Sequence, residues 1–292
     1  MHDLPKITID PDTFLRQHCS LPSLPPVVSH IQQTLQSDNI DISQVVDLIS
    51  AEPALVAQIL KVVNSSYYGL PREIAEVRFA IAFLGLNEIY RMVLSLSVIK
   101  TMSVKEQDEL DRFWFHSFYT ALCTKLLARK YDPHLPFDEL WSAAILHDIG
   151  RLVYLKFFPQ HYQLLQEYCK EAGCMMNTAE EHFELPASTY LGVLLCDHWR
   201  LPTTIQDACK YHRMEDLKNL SKNNEKDNFR RTLCLGNLVA ALTTEVLSEP
   251  VKIEIAGILR SELGCDEEAF LALMGEIYDQ RLEAEGFINQ FK

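Results

Sequence analysis

Apolar residues recur at intervals of three and four along most of the chain, the repeat of a helix that buries one face. Val27, Val28, Ile31 and Leu35 start the pattern. Val45, Val46, Leu48 and Ile49 continue it, then Leu55, Ile59, Leu60, Val62 and Val63. The breaks carry their own chemistry. LPSLPP at 21–26 is a stiff entry. Asp41 or Ser43 suits an N-cap, Pro53 a first helical position, and NSSYYG at 64–69 a turn. From 74 to 99 the pattern predicts helix, break, helix, with LGLN at 84–87 as the break. The second of these helices is apolar nearly all round, which predicts a core helix.

The later pattern is also helical. A long helix is predicted over 110–130, with Phe113, Phe115, Phe118, Leu122, Leu126 and Leu127 as apolar positions and His116 among them. A second runs over 138–149 and ends in His147-Asp148, with Gly150 as its stop. A third covers 153–168. After Gly173, Asn177-Thr178 caps a helix with Glu180 and Glu181 in its first turn. Helices follow over 186–199 and from Thr203 or Thr204 to Tyr211-His212. Residues 219–228 are polar without an apolar period and read as a linker, and 229–292 is helical again with a break at 264–266. No segment alternates with the period of a half-buried strand, so the chain reads as all-α.

At 292 residues and 48% hydrophobic content, the chain can bury one large core or two modest ones. Its net charge of −13, with no basic run, repels a phosphate backbone and argues against general nucleic-acid binding. AIAFLGLNEIYRMV at 80–93 superficially resembles a helix-turn-helix, but its second helix lacks the exposed polar side chains that read base edges. The eight cysteines form no Cys-x-x-Cys pair, which disfavours a zinc ribbon or a thioredoxin-type site and fits reduced thiols. Residues 1–12 carry acids and prolines where a signal peptide has its apolar core. The apolar region 79–99 is interrupted by Asn87, Glu88 and Arg91. A cytoplasmic protein without membrane insertion is expected.

The candidate chemistry centres on WSAAILHDIG at 141–150. Imidazole beside carboxylate, here His147 and Asp148, is ligand chemistry for Zn, Mn or Fe, and also acid–base chemistry. A hydrolytic metal site needs three or more convergent ligands and one open position. The candidates are His116, His147, Asp148, His182, His198 and His212. On one helix, His147 and Asp148 would point about 100° apart and share an ion only in the groove beside a helix that brings His116. Alternatively, they form a structural pair in which the carboxylate orients the ring or caps the helix end. His182 and His198 stand beside Glu180, Glu181 and Asp197, as solvated residues do. No Ser-His-Asp order, P-loop or dinucleotide fingerprint is present.

His116, HDIG at 147–150, WRLP at 199–202 and His212 together look like the HD superfamily of metal-dependent phosphohydrolases. LPSLPP at 21–26, EPALVAQILKVVNSSYYGLP at 52–71 and AIAFLGLNEIYRMVLSLSV at 80–98 resemble the HDOD domain, the HD-related output domain of bacterial signalling proteins. The resemblance implies a two-lobed helical bundle with an HD-like second lobe. In it, 1–20 is a lead-in and 21–213 the HDOD domain, with a helical lobe over 21–105 and the HD-like lobe from 106. The C-terminal helices over 214–292 complete that lobe.

The sequence departs from the active enzymes in specific places. Where they carry an aspartate on a late helix, LCLGNLVAAL at 233–242 has Asn237. Histidines of the related cyclic-di-GMP phosphodiesterase branch align near Ser188 and at Tyr211-His212, and its GYP signature is absent after HDIG. The lysine that often follows HDIG is Arg151. His116, His147 and Asp148 remain as metal ligands, with Asn237 and His212 as secondary candidates. The resemblance therefore implies a regulatory module without its own chemistry and without an obligatory cofactor. It would bind signalling proteins or a small ligand, with input arriving in trans because the flanks are too short for a sensor domain. The alternative is a Mn-, Fe- or Zn-dependent phosphohydrolase of nucleotides or cyclic dinucleotides with an incomplete site.

Overall fold

The computed structural model describes residues 7, 23–37, 41–65, 67–102, 104, 107–135 and 137–289, so the predicted lead-in over 1–20 lies outside them apart from Ile7. The described residues form fifteen α-helices and one short 3-10 helix, and they contain no strand. The chain forms two compact units, Pro22–Ser103 and Val104–Ile288.

The first unit is built around a core helix. Its elements are α1 (Pro26–Leu35), α2 (Ile42–Ser50), α3 (Pro53–Val63), α4 (Val77–Leu84) and α5 (Leu86–Thr101). Helices α1, α3 and α4 pack on α5. Ile89, Met92, Val93 and Val98 of α5 are fully buried, as an all-round apolar helix must be. The second helix of the segment that resembles a helix-turn-helix is thus a core helix. Gly85 sits at the break with φ 86°, a conformation that favours glycine, and the two helices bend by 120° there. No single helix among the described residues is long and apolar enough to cross a membrane.

Local polar chemistry fixes the turns of this unit. Asp41 caps α2 by accepting from the Ser43 N–H at 2.9 Å. After α3, Asn64 Nδ2 donates to the carbonyls of Leu60 (2.9 Å) and Ile74 (2.8 Å), while its Oδ1 accepts from the Ile74 N–H at 2.7 Å. One side chain thus holds both ends of the 64–74 connection. Asn64→Ala is expected to cost about 2 kcal/mol, because backbone groups at Ile74 lose their partners. A urea titration would register this as a lower midpoint at unchanged slope.

The second unit contains α6 (Gln107–Tyr131), α7 (Phe137–Leu146), α8 (Gly150–Phe157), α9 (Pro159–Ala172), α10 (Met176–His182) and α11 (Ser188–Trp199). It continues with α12 (Thr203–Lys210), the 3-10 turn Met214–Asn219, α13 (Glu225–Thr244), α14 (Glu249–Leu263) and α15 (Glu267–Asn289). Helices α6 and α13 pack along each other, α7 packs on both, and α11 packs against α8 and α12.

Several predicted boundaries move, each for a physical reason. The helix expected over 138–149 ends at Leu146, and His147, Asp148 and Ile149 form a turn. Gly150 is not a stop: it is the first residue of α8, and a Cβ there would lie 1.8 Å from the Ser188 carbonyl oxygen. Its glycine is required by close packing, not by a left-handed conformation. The helix expected over 153–168 is interrupted at Phe158, because Pro159 opens α9. Helix α10 begins at Met176 and not after a cap at Asn177-Thr178. The polar stretch 219–228 is in part the first turn of α13, where Asn224 Oδ1 accepts from the Asp227 N–H at 3.2 Å.

Candidate functional site

Four elements of the second unit converge on one buried cluster. Helix α6 brings His116, the turn after α7 brings His147 and Asp148, the segment after α12 brings His212, and α13 brings Asn237. His147 and Asp148 are each 1% exposed and Asn237 2%. One ligand atom each from His116, His147 and Asp148 lie within 4.8 Å of one another. Asn237 Oδ1 sits 2.9 Å from His116 Nε2 and 3.2 Å from His147 Nε2. The His212 ring packs edge-on to His147 at 5.0 Å, and its Nε2 lies 3.6 Å from Asp148 Oδ1.

Backbone contacts settle which atoms carry protons. Asn237 Nδ2 donates to the His212 carbonyl at 3.0 Å, which turns Oδ1 toward the two histidines. His147 Nδ1 lies 2.6 Å from the Ala144 carbonyl, and His212 Nδ1 lies 2.9 Å from that of Ala208. A ring nitrogen facing a carbonyl must be one bearing hydrogen, so when the His147 ring is neutral its Nε2 is a lone pair. His147 is neutral near pH 7: burial pulls its pKa down to about 3, with further lowering from His212 and His116 against the opposing pull of Asp148. Burial also lowers the pKa of His116.

The lone pair of His147 Nε2 therefore faces the carbonyl oxygen of Asn237, an acceptor against an acceptor. His116 relieves part of this by donating Nε2–H to the same oxygen. Both oxygens of Asp148 are buried without a properly directed hydrogen bond. Lone pairs aimed at one another are what a bound divalent cation resolves, so the histidine and asparagine donors fit one.

A second feature opposes that fit. Arg151 Nε lies 2.6 Å from Asp148 Oδ2, and its Nη1 lies 3.8 Å from Glu245 Oε1. Burial pushes the Asp148 pKa up, but the Arg151 charge outweighs it and holds the carboxyl well below the usual range. The one carboxylate of the cluster is thus ionised and already neutralised by a guanidinium.

Other predicted positions fall elsewhere. His182 is exposed and stacks on Tyr168 at 4.3 Å, and His198 is exposed. Tyr211 lies under Arg230 and Lys210, at 4.5 and 5.0 Å from its ring centre. Ser188 is buried and gives its backbone N–H to Glu180 Oε1 at 3.1 Å. Glu180, read only as a first-turn acid, is 1% exposed and pairs with Arg213 at 3.3 Å. The bridging role of Arg151 and the presence of Glu245 were not read from sequence. The spacing of three from Asp148 to Arg151 was the available signal. Beside the cluster, a cavity of about 400 Å³ is lined by His116, Arg151 and Glu245 among others.

Known proteins carry the same architecture. An HDOD domain protein of unknown function from Geobacter sulfurreducens superposes with a TM-score of 0.69 at 19% identity, over 97% of each chain. A protein from Shewanella amazonensis named a "putative phosphohydrolase" gives 0.67 at 20% identity, over 96% of this chain and 98% of its own. At these identities the likeness concerns the fold. An uncharacterised Treponema pallidum protein is 22% identical over 192 residues, which is 66% of this chain. The chain spans little more than a third of that relative, 37% of its length. The family model of the HDOD domain matches residues 21–214, the stretch that holds α1 to α12, the HDIG turn and His212, and on that match the chain belongs to the HDOD domain family.

Proposed function

We propose that this protein is a bacterial signal-transduction module that works by binding, and that its His-Asp cluster does not hydrolyse phosphate esters. The observation that carries the reading is the ion pair of Asp148 with Arg151. Hydrolysis needs a carboxylate to hold the ion and a group to take a proton from water. Asp148 is held by Arg151, and Asn237, where active HD enzymes carry an aspartate, has no charge. Residues 21–213 form the domain and the helices over 214–292 complete its second lobe, a reading supported by the packing of α13 along α6. Partner proteins in the cytoplasm would supply the input and receive the output.

A divalent cation such as Mn, Fe or Zn would be held by His116, His147 and Asp148, with the Asn237 carbonyl and His212 beside them. Bound there, it would supply Lewis acidity. The convergence of three ligands within 4.8 Å favours a second reading, a metal-dependent phosphohydrolase. The two readings separate in one assay. Purified protein supplied with Mn, Fe or Zn is expected to release no product from cyclic dinucleotides or nucleotides beyond the level of His147→Ala. Turnover that His147→Ala abolishes, in protein with stoichiometric metal by elemental analysis, would establish the enzyme instead.

A further inference from the structure

We infer that the cavity beside the cluster binds a small polyanion, a molecule carrying several phosphate or carboxylate groups, and that this ligand is what the module senses. The inference deepens the binding reading and rests on it.

Charge is the first argument. In the whole chain 40 acidic residues face 27 basic ones. The cavity reverses this balance: Arg112, Arg151, Lys170 and Arg281 line it against Glu245 as its one acidic lining residue. The four cations come from four helices, α6, α8, α9 and α15. A concentration of positive charge against the sign of the chain, inside a concave site, raises the local concentration of anions.

The second argument is what those cations already hold. Arg112 pairs with Glu109, and Arg281 with Glu285 at 3.1 Å, each with its helix neighbour three or four residues away. Both arginines are more than a third exposed, and exposed pairs of this kind contribute little. They exchange readily for a ligand that presents several negative charges at once. Arg151 is different. It is 15% exposed, and its contact with Glu245 is long at 3.8 Å, so one side of its guanidinium faces the cavity while the other is held by Asp148.

Size is the third argument. About 400 Å³ lies within the range of pockets that enclose small molecules. Phe113, Phe115 and Tyr162 add apolar wall to the same cavity, and the Arg281 guanidinium sits 6.0 Å from the Phe115 ring. The site therefore suits a compact anion with a flat or apolar portion. Arg151 gives such a ligand a physical link to the turn at His147-Asp148, because drawing the guanidinium toward the cavity weakens its hold on Asp148.

Inorganic pyrophosphate and citrate serve as probes, titrated calorimetrically into the full chain after treatment with a chelator that is then removed. At low ionic strength at least one is expected to bind saturably. Affinity should fall at least tenfold in Lys170→Glu and in Arg281→Glu, and stay within twofold in Arg78→Glu, an exposed arginine that does not line the cavity. Tighter binding of pyrophosphate assigns the phosphate class, and tighter binding of citrate the carboxylate class. Absence of saturable binding by both probes, or equal binding by all variants, overturns the inference. Thermal unfolding of each variant shows that a lost signal reflects the site and not the fold. His147-dependent hydrolysis of pyrophosphate by metal-loaded protein would overturn the non-catalytic reading while leaving the binding site intact.

Discussion

Gly150→Ala is expected to abolish the native packing of the second unit. An added Cβ would stand 1.8 Å from the Ser188 carbonyl oxygen and 2.6 Å from the Gly192 backbone nitrogen. Both obstacles are backbone atoms of α11, so no side-chain rotation relieves them. The helices must separate, and overpacking of this kind costs about 3 kcal/mol or more, a large part of the roughly 5–15 kcal/mol that holds a domain folded. Gly236→Ala meets Thr124 Oγ1 at 2.0 Å and its Cα at 2.9 Å, where α13 crosses α6. Rotation of the threonine relieves only the first of these. Gly257→Ala on α14 meets nothing within 4 Å and should stabilise by up to about 1 kcal/mol through helix propensity. Urea midpoints of the three variants should therefore spread widely, with Gly150→Ala lowest and Gly257→Ala above the parent. A Gly150→Ala protein as stable as the parent would show that α8 and α11 are not packed this closely.

The same glycine shows where the sequence was legible and where it was not. Helices such as α5 and α6 announce themselves because burying one face writes a local period into the chain, and burying all faces a long apolar run. Breaks at Gly85, and starts at Asp41 and Pro53, are equally local, since a cap or a fixed φ needs no distant partner. Gly150 carried the usual mark of a helix end, but its cause lies 38 residues away at Ser188, and no local rule reports that. Phe158-Pro159 was the opposite case, a local break overridden in the reading by a continuing apolar period. The cluster divides in the same way. The family resemblance selected His116, His147, Asp148, His212 and Asn237, and the fold brings all five together. The cavity beside them has cations from four separate helices, a juxtaposition that exists only after folding.

Asn237→Asp should turn the cluster into a firm metal site, and the route to that outcome runs through a loss. Without metal, the new carboxylate stands where Oδ1 lies now, 2.9 Å from His116 Nε2 and 3.2 Å from His147 Nε2. It also removes the donor that satisfies the His212 carbonyl at 3.0 Å. A buried anion with one lost hydrogen bond is expected to lower stability by about 2 kcal/mol. Added Mn²⁺ then reverses the balance, because affinity for a hard cation rises with the number of charged oxygen ligands. The melting temperature of the variant should climb with Mn²⁺ toward or beyond that of the parent, with a Kd at least tenfold tighter. Combining His147→Ala with Asn237→Asp should remove the effect. An unchanged melting temperature with and without Mn²⁺ would show that these groups do not share an ion. Activity is a separate matter: Arg151 still neutralises Asp148 at 2.6 Å in this variant. Tight metal binding without phosphate-ester hydrolysis is the expected result, and it would locate the missing chemistry in that ion pair as much as in the asparagine.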